Sequence, residues 1–333
     1  MKPQISIINS LSRSGLADTA PLVKRLGVQY VDLYAFMQPD LQLLWPNTRV
    51  RPGLPRNTLY EMAEAFHISG EIERVGKIIA RNVAPAKIAA FATYLPEITS
   101  PASEIARQAL RFLIRLASFL RQSGHPVQTI EIVGGSTVDG LWRGRMKGGA
   151  PTYVVNRIDE SLALTRLVKA LRPVIEEAAS NSIKLALELE PGPLFTVGNK
   201  ESLLKFCQLV DEMDTQWKKV IGLNLDIPHW CFLSNIDLDW VQKHPIIRDR
   251  ITHAHVCDHS RGHFCDVEPL LFHPSSDFVP WLRLLSDLAG QDQSNNSVGY
   301  SKFISCELEC CGGIDYALRT IHNLEDLINR HCN

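Results

Sequence analysis

The sequence predicts a closed (β/α)8 barrel, a TIM barrel, formed as a single domain of 333 residues. Three observations predict it. Eight short apolar runs recur along the chain, most of them separated by helix-length segments. The runs are nearly continuous in hydrophobicity rather than alternating, the pattern of strands buried on both faces. Four runs in the second half end in an acidic or imidazole residue, and in a parallel barrel such ends share one mouth.

In chain order the strands are expected near 5–9 (ISIIN), 29–34 (QYVDLY), 87–93 (KIAAFAT), 129–134 (TIEIVG), 183–190 (IKLALELE), 220–226 (VIGLNLD), 251–257 (ITHAHVC) and 302–309 (KFISCELE). Helices are expected over 102–123, 157–180, 199–213, 236–248 and 313–331. An open doubly wound sheet is the rival architecture. The first strand leads into NSLSRSG, not into a glycine-rich phosphate fingerprint, which disfavours it.

Three insertions interrupt the repeat. Residues 35–86 follow the second strand and hold an aromatic, proline-rich stretch and then a helix. Residues 135–156 follow the fourth strand and form a candidate lid. Residues 258–276 follow the seventh. Long βα loops on a barrel emerge at the active-site face.

The bulk numbers exclude several classes. A net charge of −1 argues against a nucleic-acid or membrane-surface partner, which calls for a basic excess. No apolar run approaches the ~20 residues that span a bilayer, and the N-terminal apolar stretch is short for a secretory signal. Eight cysteines, all from Cys207 onward and without CxxC pairs, read as reduced thiols in a cytoplasmic enzyme.

The chemistry lies at the strand ends. Glu188 sits deep in KLALELEPG, where a buried carboxylate requires a cation or hydrogen bonds. Glu190 lies two residues on, before Pro191-Gly192, where solvation competes with a role at the mouth. Asp226 closes LNLD, and His229 follows three residues later. A helix N-cap is the bland role for such an aspartate. His253 and His255 share one face of the seventh strand, followed by Asp258, His259 and Arg261. A local zinc among His253, His255, Cys257, His259, His263 and Cys265 fits no standard finger spacing. Glu307 and Glu309 repeat the E-L-E pattern on the last strand. Facing glutamates repel unless a cation lies between them. Two Glu, one Asp and one His thus predict a single divalent cation, with Mn, Mg, Co and Zn all suited to the set.

These motifs resemble the xylose isomerase-like barrel superfamily, which includes sugar isomerases and epimerases and apurinic endonucleases. The resemblance is carried by E-x-E-P-G at Glu188, D-x-x-H at Asp226 and His229, H-x-x-D at His255 and Asp258, and E-L-E at Glu307. It implies that Glu188, Asp226, His255 and Glu307 bind one metal ion. It also implies that Glu188 and Glu307 act as acid and base, and that His229 and Arg261 bind substrate. The histidines that hold further zinc ions in the endonuclease branch are missing from the ends of strands three and four.

The loop WRGRMKGG adds Trp142, Arg143, Arg145 and Lys147 among glycines; closing over a substrate, it would recognise an anion. The expectation is a metal-dependent isomerase or epimerase acting on a sugar, sugar phosphate or related polyol through an enediolate. Glu188 and Glu307 are its catalytic pair. His229, Arg261, Asp258, His253, Glu190, Glu309, Trp142, Arg143 and Arg145 are expected around a small carbohydrate. A metal-dependent phosphodiester hydrolase of the same fold and a non-catalytic barrel are the alternatives. Homo-oligomerisation stays open.

Overall fold

Eight parallel strands close into a barrel with consecutive strands as neighbours, in the order β1-β8-β7-β6-β5-β4-β3-β2. They are β1 Gln4–Ile8, β2 Tyr30–Tyr34, β3 Lys87–Ala92, β4 Thr129–Val133, β5 Lys184–Glu188, β6 Ile221–Asp226, β7 Ile251–Val256 and β8 Phe303–Cys306. The structure is a computed structural model that describes residues 1–11, 15–36, 38–46, 71–100, 103–139, 156–213, 215–257, 278–291, 298–307 and 313–332.

All eight expected strands are present. Outward positions such as Ile130, Ile132, Leu185, Leu187, Leu223 and Leu225 are buried in the apolar layer beneath the helices. The alternate positions differ in chemistry: Ser6, Asp32, Glu131, Glu188, Asn224, Asp226, His253, His255 and Ser305 are buried as well. Contacts across the barrel, such as Asp32 with His253, place these side chains in its interior. One sheet therefore separates an apolar shell from a polar lumen.

The helices follow their sequence signals. Ser103–Gln122 turns Leu110, Leu113, Ile114 and Ala117 inward. Its Arg111 and Arg115 reach Glu177 on the neighbouring helix Glu160–Ser180, at 3.1 and 2.7 Å. Lys200–Glu212 starts with a reciprocal capping box between Asn199 and Ser202. The helix expected over 236–248 is split into Leu238–Lys243 and Pro245–Arg248, because Pro245 has no backbone N–H to continue the first segment and instead opens the second. Within the 35–86 insertion, Gln38–Leu44 and Ile72–Val83 are helical. The second buries Val75, Ile79 and Val83 and is the connection into β3. Residues 47–70 of the insertion lie outside the described residues.

Loops after β4 and β5 are tied together at the mouth. Thr137 N donates to Leu194 O and Thr196 N donates to Gly135 O, both at 2.8 Å. Gly135 takes φ 78°, and a Cβ there would lie 2.4 Å from Thr99 Cγ2, so glycine is required on both counts. An antiparallel ribbon, Val138–Asp139 with Asn156–Arg157, closes the base of the candidate lid. The lid's 140–155 span, with Trp142, Arg143, Arg145 and Lys147, lies outside the described residues. No helix among the described residues is long and apolar enough to cross a membrane.

Candidate metal centre

Four side chains converge at the carboxyl end of the barrel. Glu188 on β5 pairs with Asn224 on β6, Asp226 on β6 pairs with His255 on β7, and Glu307 directly follows β8. Glu188, Asp226, His255 and Glu307 offer ligand atoms that all lie within 4.8 Å of one another, and the first three are buried. His255 Nδ1 lies 3.0 Å from Glu307 Oε2 and 3.8 Å from Glu188 Oε2. Three carboxylates around one imidazole in a buried lumen repel one another. A divalent cation offsets that repulsion, and the mix of oxygen and nitrogen donors suits one. The residues present therefore fit the expected ion.

Two further groups hold the cluster. Asp226 Oδ1 accepts a 2.7 Å hydrogen bond from His229 N, so the aspartate caps the turn His229–Leu233 while belonging to the cluster. The His229 ring lies 3.0 Å from Leu189 O and 3.1 Å from Glu188 Oε1, both through Nδ1. Both neighbours accept, so Nδ1 carries a proton. Asn224 Nδ2 donates to Glu188 Oε2 at 3.1 Å.

Glu131 on β4 is a member of the site that the sequence argument missed. It is 6% exposed, and its Oε2 lies 3.4 Å from His255 Nε2. Burial first, then the charge of Glu188 and a hydrogen bond to it, push the Glu131 carboxyl well above the usual carboxylate range. Burial also opposes ionisation of Glu188. The hydrogen bond from His229, the charge of His255 and the hydrogen bond from Glu131 outweigh it and hold Glu188 well below the usual range. Within the pair, the surroundings favour the protonated form of Glu131 and the ionised form of Glu188.

His253 lies one layer deeper. It is fully buried, with Nε2 2.6 Å from Asp32 Oδ2 and Nδ1 2.9 Å from Ser301 Oγ. Asp32 was also missed from the sequence. Both Asp32 in QYVDLY and Glu131 in TIEIVG are lone acids inside an apolar strand run, the signal that singled out Glu188. Glu190 lies beyond the end of β5, half-buried, with its backbone N–H bonded to Val197 O. Asp258, Arg261 and Glu309 lie outside the described residues, as do His259, His263 and Cys265 of the local-zinc alternative.

A family model described as xylose isomerase-like TIM barrel matches residues 21–319. No curated protein matches the chain. Among solved structures, the chain is similar to a D-tagatose 3-epimerase-like protein, at 18% identity and TM-score 0.62 over 98% of this chain and 97% of that one. It is similar to an L-ribulose 3-epimerase at 16% identity and TM-score 0.60, over 99% and 95%. It is also similar to the IOLI protein with a binding zinc atom, at 15% identity and TM-score 0.60, over 98% and 99%. At these identities the likeness establishes a common fold.

Proposed function

We propose that this chain, which belongs to the xylose isomerase-like TIM barrel family, is an isomerase or epimerase of a sugar, sugar phosphate or related polyol. The observation that carries this reading is the placement of Glu188 and Glu307. They come from the ends of different strands, both face Nδ1 of His255 and lie in the barrel mouth. The carbohydrate epimerases among the structural relatives support the substrate class.

In this reading Glu188, Asp226, His255 and Glu307 hold one divalent cation, Mn, Mg, Co or Zn. A cation so held would supply Lewis acidity, polarising a substrate carbonyl and acidifying the neighbouring C–H. One glutamate takes that proton, leaving an enediolate, and the other returns a proton from the opposite face. Ionised Glu188 can accept a proton, and Glu307 can do the same from across the site. His229 keeps its Nδ1 proton on Leu189 O and Glu188, which orients the ring so that Nε2 is left to meet a substrate hydroxyl. Arg261, Asp258, Glu190 and Glu309 complete the proposed substrate shell, with Trp142, Arg143 and Arg145 recognising an anionic group. His253 contributes from beneath by supporting the strand that carries His255.

The test joins elemental analysis with isotope exchange. Purified protein is expected to retain about one divalent cation per chain. Incubated in D2O with a panel of ketoses and their phosphates, it is expected to introduce deuterium next to the carbonyl, read by NMR. A cation-loaded protein that exchanges no C–H of any hydroxy ketone would end the proton-transfer reading.

A further inference from the structure

Glu131 has no counterpart in the four-residue set, yet it touches two of its members. Its Oε2 faces His255 Nε2 at 3.4 Å, and neither atom has a hydrogen-bond partner among the described residues. A 3.4 Å separation with no other claimant for either atom is about 0.5 Å longer than an ordinary N–H···O bond, so a small shift closes it. The other ring nitrogen, Nδ1, faces Glu307 and Glu188. The imidazole therefore has one nitrogen toward the cluster and one toward a lone carboxyl on the far side. Glu131 also hydrogen-bonds Glu188, so one side chain contacts both the histidine and a glutamate of the set.

We propose that Glu131 is a positioning residue for the cation: it holds the Nε2–H of His255, fixes the ring so that Nδ1 is the ligand atom, and braces Glu188 beside it. The proposal rests on the reading of Glu188, Asp226, His255 and Glu307 as ligands. A metal-binding histidine usually donates its second ring N–H to a carboxylate, carbonyl or water, and losing that partner weakens metal binding about 10–100-fold. Here the carboxylate comes from β4, the strand beside β5, and reaches β7 across the lumen. Three strands that are not all neighbours are thereby locked at one height.

The experiment uses Co2+ as a spectroscopic probe on the whole chain. Parent, Glu131→Gln and Glu131→Ala are titrated with Co2+, following visible absorption and competition with a chelator. Glu131→Ala is expected to bind about 10–100-fold more weakly and to give an altered absorption spectrum. Glu131→Gln keeps an amide oxygen for Nε2–H and is expected to recover affinity to within about 3-fold of the parent, with the parent's spectrum. The tautomer is read in the parent itself, so the proposal stays testable even where Glu131→Ala fails to fold. Two-bond proton–nitrogen NMR of the zinc-loaded protein, with His255 assigned by difference from His255→Gln, is expected to show the proton on Nε2 and the metal on Nδ1. Metal on Nε2, or Co2+ affinity and spectrum unchanged in both variants, overturns the role of Glu131 and leaves the ligand set standing. A parent that binds no Co2+ overturns the ligand set first.

Discussion

His253 and His255 lie two residues apart on β7 and point into the same lumen, but they meet opposite circumstances. His253 is saturated: one nitrogen lies against Asp32 at 2.6 Å and the other against Ser301 at 2.9 Å. One imidazole, one carboxylate and one hydroxyl close a balanced set. His255, one layer higher, faces Glu307, Glu188 and Glu131 at 3.0, 3.8 and 3.4 Å. There the acids outnumber the imidazole that can neutralise them. Asp32 shows the difference: burial works against its ionisation, and His253 overrides this and lowers its pKa. In the upper layer one acid, Glu131, is driven the other way. Both nitrogens of His253 are taken up by protein groups, whereas the acids gathered around His255 leave a place for a cation.

The largest expected effect breaks the upper layer. Glu307→Gln retains an oxygen donor but cannot take up a proton, so isotope exchange into substrate is expected to fall at least about 10²-fold. Cation content is expected to fall far less. Exchange at the parent rate in the variant would remove Glu307 from the proton-transfer pair and return the upper layer to a purely structural status.

The next effect breaks the lower layer. His253→Leu strands Asp32 as an unpaired charge in the lumen, which costs about 3–5 kcal/mol. Thermal denaturation is expected to show the loss, and adding Asp32→Leu to His253→Leu is expected to restore part of it, because the buried charge is then gone. The cation count stays at that of the parent in both. A His253→Leu protein that folds but no longer holds its cation would mean that the two layers are one site.

The distinction between the layers was only partly legible in the sequence. The strands were readable because their runs are short, predominantly apolar and end at turn residues, and the convergence of Glu188, Asp226, His255 and Glu307 was readable because each lies toward the carboxyl end of such a run. Sequence spacing puts His253 and His255 on one face but says nothing of height across the barrel. The structure supplies Asp32 as the partner of His253, from β2 and 221 residues away in sequence. Glu131 was passed over because it sits within its run and not at its end, although a lone acid inside TIEIV needed the same explanation as Glu188. The contact of His229 with Leu189 O belongs to backbone geometry, which no motif encodes. Pro245 was readable as a break, yet the periodicity on either side predicted a single helix.

The smallest effect sharpens the comparison along a single strand. β5 carries Glu188 at one end and Lys184 at the other. Glu188 is surrounded by donors, whereas the Lys184 ammonium is largely buried and donates to the carbonyl of Gly299 at 3.0 Å. A carbonyl does not neutralise a cation, and burial lowers the Lys184 pKa from 10.5 to about 8. Because the folded-state value is the lower one, the unfolded chain binds more protons between these two pH values, and the stability of the parent rises with pH across that window. Below pH 8 the whole penalty of the buried charge is present. Lys184→Met removes it and keeps the apolar stem, so the variant is expected to be more stable at pH 7 by on the order of 1 kcal/mol. In thermal melts that is about 2–4 °C. The advantage should shrink as pH rises above 8 and level off above 10.5, once the amine is neutral in both states of the parent. Parent and variant melts that run parallel from pH 7 to 10.5 would show that the ammonium is solvated where it stands. The contrast between the two ends of β5 would then reduce to the donors gathered around Glu188.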